Sequence, residues 1–417
     1  MSLAEDRPDS GFRLSKLVYD SRYRGYTIQA LFLCALFIAI GWLLSNAAAN
    51  LARLGLSPSF DFLWNRAGYD ISLKLIHFTN DSTHGRAALV GLVNTLFISV
   101  LGCITATVLG VIVGVLRLSK NWVVARLMTV YVEIFRNVPL LLWLLIIYAV
   151  LTAVTPAPNA YRGANPSAHM WFWGSVAITN RYIALPAPMF THSLGFADLG
   201  IFWISLDFVA LVAVIVAGVL INRVILRRAS RIQEATGKRP TTWWSTLLLI
   251  LGPPVVLLFA LGLHWDFPAL KGFNFRGGVL APNSIFALWF GLSAYTAAFI
   301  AEIVRAGILA VSKGQTEAAH ALGLRPGRTM SLVVLPQALR VIVPPLISEF
   351  LNLTKNSTLA FAVAYADLGA TLGGITLNQS GRALECILLM MLIYLIISLV
   401  ISAVMNVYNR SVRLKER

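Results

Sequence analysis

The chain has 417 residues, of which 58% are hydrophobic and only 12% charged, whereas soluble domains run nearer half apolar and a quarter charged. The apolar residues gather in runs of about 20, the length a helix needs to cross about 30 Å of hydrocarbon, so the composition excludes an ordinary soluble domain. The net charge of +16 does not point to nucleic acid, because the basic residues cluster beside the apolar runs, where they set orientation and attract anionic membrane lipid.

Taken in chain order, a polar segment over 1–26 precedes a first apolar run over 27–46. Ala47-Ala48-Ala49 offer the small residues of a cleavage site. The polar segment is long for a signal peptide, however, and the run is long enough to span, so it reads as a retained helix. Seven more spans follow near 89–116, 125–151, 204–222, 244–263, 284–310, 340–360 and 384–408. The fold class is therefore all-α, a polytopic membrane protein with about eight transmembrane helices. The fourth span contains Asp207, and the fifth carries Pro253-Pro254, which removes two backbone donors. Cys34, Cys103 and Cys386 all fall inside apolar runs, so no disulfide framework is expected.

Lys and Arg alternate in density between successive loops. With the N-terminus in the cytoplasm, inner segments hold 23 and outer segments 9, which predicts that both termini are cytoplasmic. The outer segment 152–203 carries five prolines with Trp171 and Trp173. It reads either as a structured loop near the headgroups, where Trp prefers to sit, or as a plain spacer.

The loop after the sixth span differs from the others. It runs Val311-Ser312-Lys313-Gly314-Gln315-Thr316-Glu317-Ala318-Ala319-His320-Ala321-Leu322-Gly323-Leu324-Arg325-Pro326-Gly327-Arg328 and continues to Leu335-Pro336-Gln337-Ala338-Leu339-Arg340. Thr316 suits a cap, Glu317 favours the positive helix start, and the alanines are helix formers. Gly323 permits a left-handed exit, and Pro326-Gly327 turns the chain. A short rigid helix on the cytoplasmic side is suited to seat in a groove and transmit force. Gln315, Glu317, Ala318, Ala319, Gly323 and Pro336 carry that reading.

The full pattern is Glu-Ala-Ala, three residues, Gly, nine residues, Val, one residue, Leu-Pro, and it resembles the EAA loop of ABC importer permeases. Gly91-Leu92-Val93-Asn94-Thr95-Leu96, Tyr131 to Leu141, Ala301 to Ile308 and Leu353 to Leu359 are similar to polar amino-acid permeases of the HisMQ type. Lys355-Asn356-Ser357-Thr358 stands where that family commonly has Lys-Asp/Asn-Thr-Ser. The added helix in front and the helix pair near 204–263 resemble the Q-type permeases of general L-amino-acid importers of the Aap and Bzt type.

The resemblance implies a MetI-like core split over 89–151 and 284–408, with the coupling loop at 311–339. The added parts would be 27–88 in front and 152–283 between the two core segments, with cytoplasmic ends at 1–26 and 409–417. It further implies a bacterial inner-membrane location, a second permease subunit, two ATP-binding subunits holding ATP and Mg, a periplasmic amino-acid-binding protein, and an L-amino acid as cargo.

Charges within spans are costly and mark candidate sites. Glu133 and Arg136 are three residues apart, as are Glu302 and Arg305, so each pair shares a helix face. They read as neutralising pairs or as an inner gate. Asn352, Lys355, Asn356, Ser357 and Thr358 cluster in the seventh span, either to meet an amino-acid substrate or to support a break in the helix. The chain has no Gly-x4-Gly-Lys-Ser/Thr loop and no His-Glu-x2-His spacing, so neither ATP binding, metal chemistry nor any catalytic residue is expected in it. A secondary transporter would call for inverted repeats and midplane acidic ion sites, and neither is evident. A membrane scaffold without transport is disfavoured by the polar seventh span.

Overall fold

The computed structural model describes residues 21–53, 59–163, 165–198, 203–238 and 240–412. The expected cytoplasmic segments over 1–20 and 413–417 lie outside the described residues. The chain divides into two units, one reaching to Asp61 and the other starting at Phe62. The first unit is carried by one helix, α1 (Ser21–Arg53), apolar and exposed along its length.

The second unit is built on two helices. In α2 (His84–Leu116), Thr83 caps the start by accepting from the Arg86 N–H at 3.2 Å. Its companion is α7 (Asn283–Leu309). Side chains at Gly110 and Gly114 are absent where the two helices meet. A Cβ at Gly110 would lie 2.6 Å from the Ile300 side chain, and one at Gly114 would lie 2.7 Å from the Ala301 carbonyl. Small residues bring membrane helices close enough for dispersion and polar contacts, which must replace the hydrophobic drive that lipid does not supply.

The expected span over 125–151 is two helices, α3 (Trp122–Asn137) and α4 (Leu140–Ala149), bent by 103°. The cause is local. Pro139 lacks an N–H and bars Val138 from helical geometry, and Val138 is extended at φ −104°, ψ 132°. Asn121 caps α3 through the N–H groups of Val123 and Val124.

Among the described residues, the segments over 177–205 and 263–282 hold nine short strands, which were not expected. β1 (Ala177–Ile178), β2 (Tyr182–Leu185) and β9 (Val279–Pro282) form an antiparallel sheet in the order β1-β2-β9. β3 (Ala187–Phe190) pairs with β6 (Leu263–Asp266), β4 (Phe196–Asp198) with β5 (Trp203–Ser205), and β7 (Ala269–Lys271) with β8 (Asn274–Arg276). Asn283, at the start of α7, donates to the carbonyls of Leu151 and Thr179. The strands thereby gather the end of α4, the start of α7 and the adjoining ends of the intervening helix pair.

That pair is α5 (Leu206–Thr236) and α6 (Trp243–Ala260). α6 passes through Pro253 and Pro254 without ending. A short linker with Gly323 then joins α7 through α8 (Lys313–Ala321) to α9 (Leu335–Asn356), and α10 (Ala383–Val412) closes the chain. Among the described residues, seven helices are long and apolar enough to cross a membrane, and the bent α3–α4 pair makes an eighth crossing if it counts as one span. The helical membrane class holds, with strands confined to the segments between.

The core lies where α2, α4, α7 and α9 meet, around Ile98, Leu144, Leu288, Ile300 and Leu353, all fully buried. Near the N-terminal end of α2, Asn94 donates to the carbonyls of Leu73 and Ala366, and Thr95 accepts from the Leu368 N–H. A side chain at Gly91 would overlap the Thr371 hydroxyl. The Gly-Leu-Val-Asn-Thr run thus clamps the turn over 365–371.

Candidate functional site

The loop from Val311 to Arg340 folds as read, with one correction. Its helix starts three residues earlier than Thr316, at Lys313, and Ser312 occupies the cap position without a side-chain bond. Thr316 therefore lies inside α8 and faces a cavity of about 280 Å³ shared with Val311, Thr329 and Val334.

The exit from α8 is defined by the main chain. Gly323 sits at φ +77°, its N–H bonds the His320 carbonyl at 2.8 Å, and the Leu324 N–H reaches the Ala319 carbonyl at 3.1 Å. This is the Schellman pair of bonds, and a left-handed residue is what allows it. A Cβ at Gly323 would meet nothing within 4 Å, so the glycine is needed for its conformation alone. Past it, Pro326 opens a helical turn and a π-turn over Met330–Val334 leads into α9.

The six loop residues divide by face. Ala319 is buried and keys α8 to the rest of the chain, while Glu317 and Ala318 are exposed. Gln315 accepts a long hydrogen bond from Gln337 at 3.4 Å, tying α8 to the first turn of α9 where Pro336 lies. Leu322 is 82% exposed and Leu332 64%. Leu322, an apolar side chain bared on the loop between the spans, marks a contact surface, whereas Leu332 lies within the apolar helical stretch Pro326–Val363.

Of the two charged pairs, only one forms within its own helix. Glu302 binds Arg305 at 2.5 Å and also ion-pairs with Arg117, the residue that closes α2. The Arg117 side chain is 9% exposed, so the triad pins the C-terminal end of α2 to α7. Glu133 and Arg136 do not pair. Glu133 accepts from Asn137, and the Arg136 guanidinium lies over the Phe299 ring at 5.3 Å. The ring of α7 outcompetes the local carboxylate because α3 lies across α7.

The seventh-span cluster also divides. Ser357 is fully buried and donates to the Thr354 carbonyl, and Thr358 donates to the Lys355 carbonyl. Both hydroxyls satisfy backbone where α9 tightens into a 3-10 segment over Ser357–Val363. They support the change of helix. Asn352, Lys355 and Asn356 share one face of α9 with the half-buried Glu349. Arg136 acts electrostatically on Glu349 across from α3. Glu349 and Arg117 complete these clusters, although neither was singled out from the sequence. The signals available were an acidic residue inside an apolar span and a basic residue closing one.

Comparison with known proteins places these features. Residues 238–414 match the family described as binding-protein-dependent transport system inner membrane component. The chain is 59% identical over full length to the glutamate/glutamine/aspartate/asparagine transport system permease protein BztB of Rhodobacter capsulatus. It is 42% identical to the general L-amino acid transport system permease protein AapQ of Rhizobium johnstonii, covering 98% of this chain and 97% of that one. It is 41% identical to the putative amino-acid ABC transporter permease protein YhdX of Escherichia coli, over 94% and 95% of the two chains. A solved structure titled an amino acid ABC transporter with histidines aligns over 79% of this chain and 95% of that chain, at 17% identity and a TM-score of 0.44.

A core of several long apolar helices, with a helix-and-stop loop between two of them, is that of a membrane permease, as the matching relatives show. At these identities over nearly full length, the chain belongs to the permease subunits of amino-acid ABC transporters. ATP hydrolysis in such transporters resides in a separate subunit.

Proposed function

We propose that α8 is the element through which ATPase subunits drive this permease, with both chain termini in the cytoplasm. The observation that carries this is the loop itself. A nine-residue helix is keyed inward by Ala319, stopped by a main-chain motif, and presents Glu317, Ala318 and Leu322 outward. Force on that crest passes to α9 through the Gln315–Gln337 contact and the π-turn, and to α7 through the short link after Leu309. The α2–α7 pair, locked by Glu302 between Arg117 and Arg305, then rocks as one body between two states of the path.

The working assembly in this reading holds a second permease subunit, two ATP-binding subunits carrying ATP and Mg, and a periplasmic binding protein. The similarity to BztB supports acidic amino acids and their amides as cargo. The face of α9 bearing Asn352, Lys355 and Asn356, with Arg136 nearby, supplies cations and amides suited to carboxylates.

The test is ATP-dependent uptake of glutamate and glutamine by the complex reconstituted in vesicles. Gly323→Val is expected to abolish the stimulation of uptake by ATP while substrate-independent hydrolysis persists. Full coupled uptake by that variant would overturn the role of α8. Lys355→Ala is expected to lower glutamate uptake more than glutamine uptake, and equal retention of both would remove Lys355 from the path.

A further inference from the structure

The α5–α6 hairpin carries a feature that the proposed coupling through α8 does not involve. Its two helices touch narrowly. A Cβ at Gly218 would lie 2.5 Å from the Leu249 carbonyl, and Thr246 donates to the buried Asn222 at 2.9 Å. These contacts fix an antiparallel register that sets Trp243 level with Leu226. Beside that seam runs an apolar groove of about 620 Å³, walled by Leu226, Trp243, Thr246, Leu247, Ile250 and Leu251. Trp243 stacks on Trp244 at 3.8 Å between ring centroids, at the end of the hairpin away from the strands. Trp pairs of this kind sit at headgroup level.

α5 continues past Trp243 for roughly 15 Å at 1.5 Å per residue. Over that stretch it carries Arg227, Arg228 and Arg231, with Arg223 one turn below Arg227. All four are exposed, and among the described residues none is in an ion pair or side-chain hydrogen bond. From 208 to 265 the sequence holds a single acidic residue, Glu234. Arg223 lies three residues before Leu226 and so shares its helix face with the groove wall, and Arg227, four residues after Arg223, lies beside it on the helix.

We propose that this hairpin binds an anionic phospholipid, with an acyl chain in the groove and its phosphate held by Arg223 and Arg227. Guanidinium groups match phosphate oxygens two at a time, and the open groove offers a chain of methylenes an apolar protein surface to lie on. A diffuse positive surface would attract the same headgroups but would need no groove. The two halves of the site are separable by mutation for that reason.

The experiment is native mass spectrometry of the intact transporter complex extracted from phosphatidylethanolamine vesicles containing phosphatidylglycerol. Wild type is expected to retain phosphatidylglycerol. Arg223→Gln with Arg227→Gln should lower retention roughly 30-fold, the effect of about 1 kcal/mol for each arginine near an anionic surface, and the double Lys variant should restore most of it. Leu247→Trp fills the groove, keeps every arginine and should lose retention as well. Arg126→Gln, an exposed charge at the same end of the helices, should not. Retention unchanged in Leu247→Trp, or equal retention of phosphatidylethanolamine, would overturn the site. So would displacement of the lipid by inorganic phosphate, which would mark a simple anion site. If the double Gln variant yields no complex, the Leu247→Trp and Arg126→Gln pair decides alone.

Discussion

The α2–α7 pair and the α5–α6 hairpin are both made of long apolar helices, yet they are held together in different ways. α2 and α7 meet through missing side chains at Gly110 and Gly114 and are tied at the C-terminal end of α2 by Glu302 between two arginines. α5 and α6 meet at Gly218 and through one hydroxyl-to-amide bond, and most of their apolar surface stays exposed. Within lipid, apolar surface alone gives helices no reason to associate, so close packing and polar contacts decide which pairs behave as one body. The first pair is packed and charge-locked as one body, and the second leaves most of its apolar surface bare.

Four substitutions sharpen or break that contrast. The largest effect is expected from Gly110→Leu, which drives a side chain into Ile300. Overpacking of this kind costs about 1–3 kcal/mol or more, and the thermal midpoint of the purified complex should fall sharply, with loss of uptake. Next is Glu302→Gln, which leaves the enclosed Arg117 without its counter-charge. Breaking a fully buried pair costs about 3–5 kcal/mol, and the partial exposure of Glu302 brings the expected loss to about 2 kcal/mol. Denaturation in detergent would read that loss, and an unchanged midpoint would show that α2 and α7 are not locked there.

Gly323→Val comes third. A β-branched residue in left-handed geometry costs about 1–2 kcal/mol, so stability should drop modestly while coupling fails. Gly323→Asn should recover much of the coupling, because Asn tolerates that conformation. The smallest effect is expected from Asn222→Ala in the hairpin. Interhelical hydrogen bonds in membranes average about 0.6 kcal/mol, so uptake should stay near wild type. A large loss of uptake would show that the hairpin takes part in the stroke.

Much of the membrane core was legible because hydropathy and the length rule are blunt signals that tertiary packing does not override. The left-handed Gly323 was legible too, since its conformation is set within five residues. What the sequence hid depends on direction and on distant partners. Hydropathy read 125–151 as one helix because it ignores heading, and the turn at Val138-Pro139 is a backbone restriction. Glu133 and Arg136 satisfy the spacing rule for a pair, but Phe299, far away in sequence, holds the arginine. Ser357 is polar in an apolar span, yet its hydroxyl serves the backbone one turn back. The short strands escaped because two to four residues among prolines carry too little alternation to register.

The stop after Ala321 has a consequence for the conditions under which the transporter works. The two bonds that hold it join main-chain groups, which neither titrate nor attract counter-ions. The direction in which the chain leaves α8 is therefore indifferent to acidity and ionic strength, unlike the Glu302 lock, whose attraction weakens as salt rises. Changes in the ionic milieu thus bear on how tightly α2 is latched to α7, and leave the shape of the stop after Ala321 untouched.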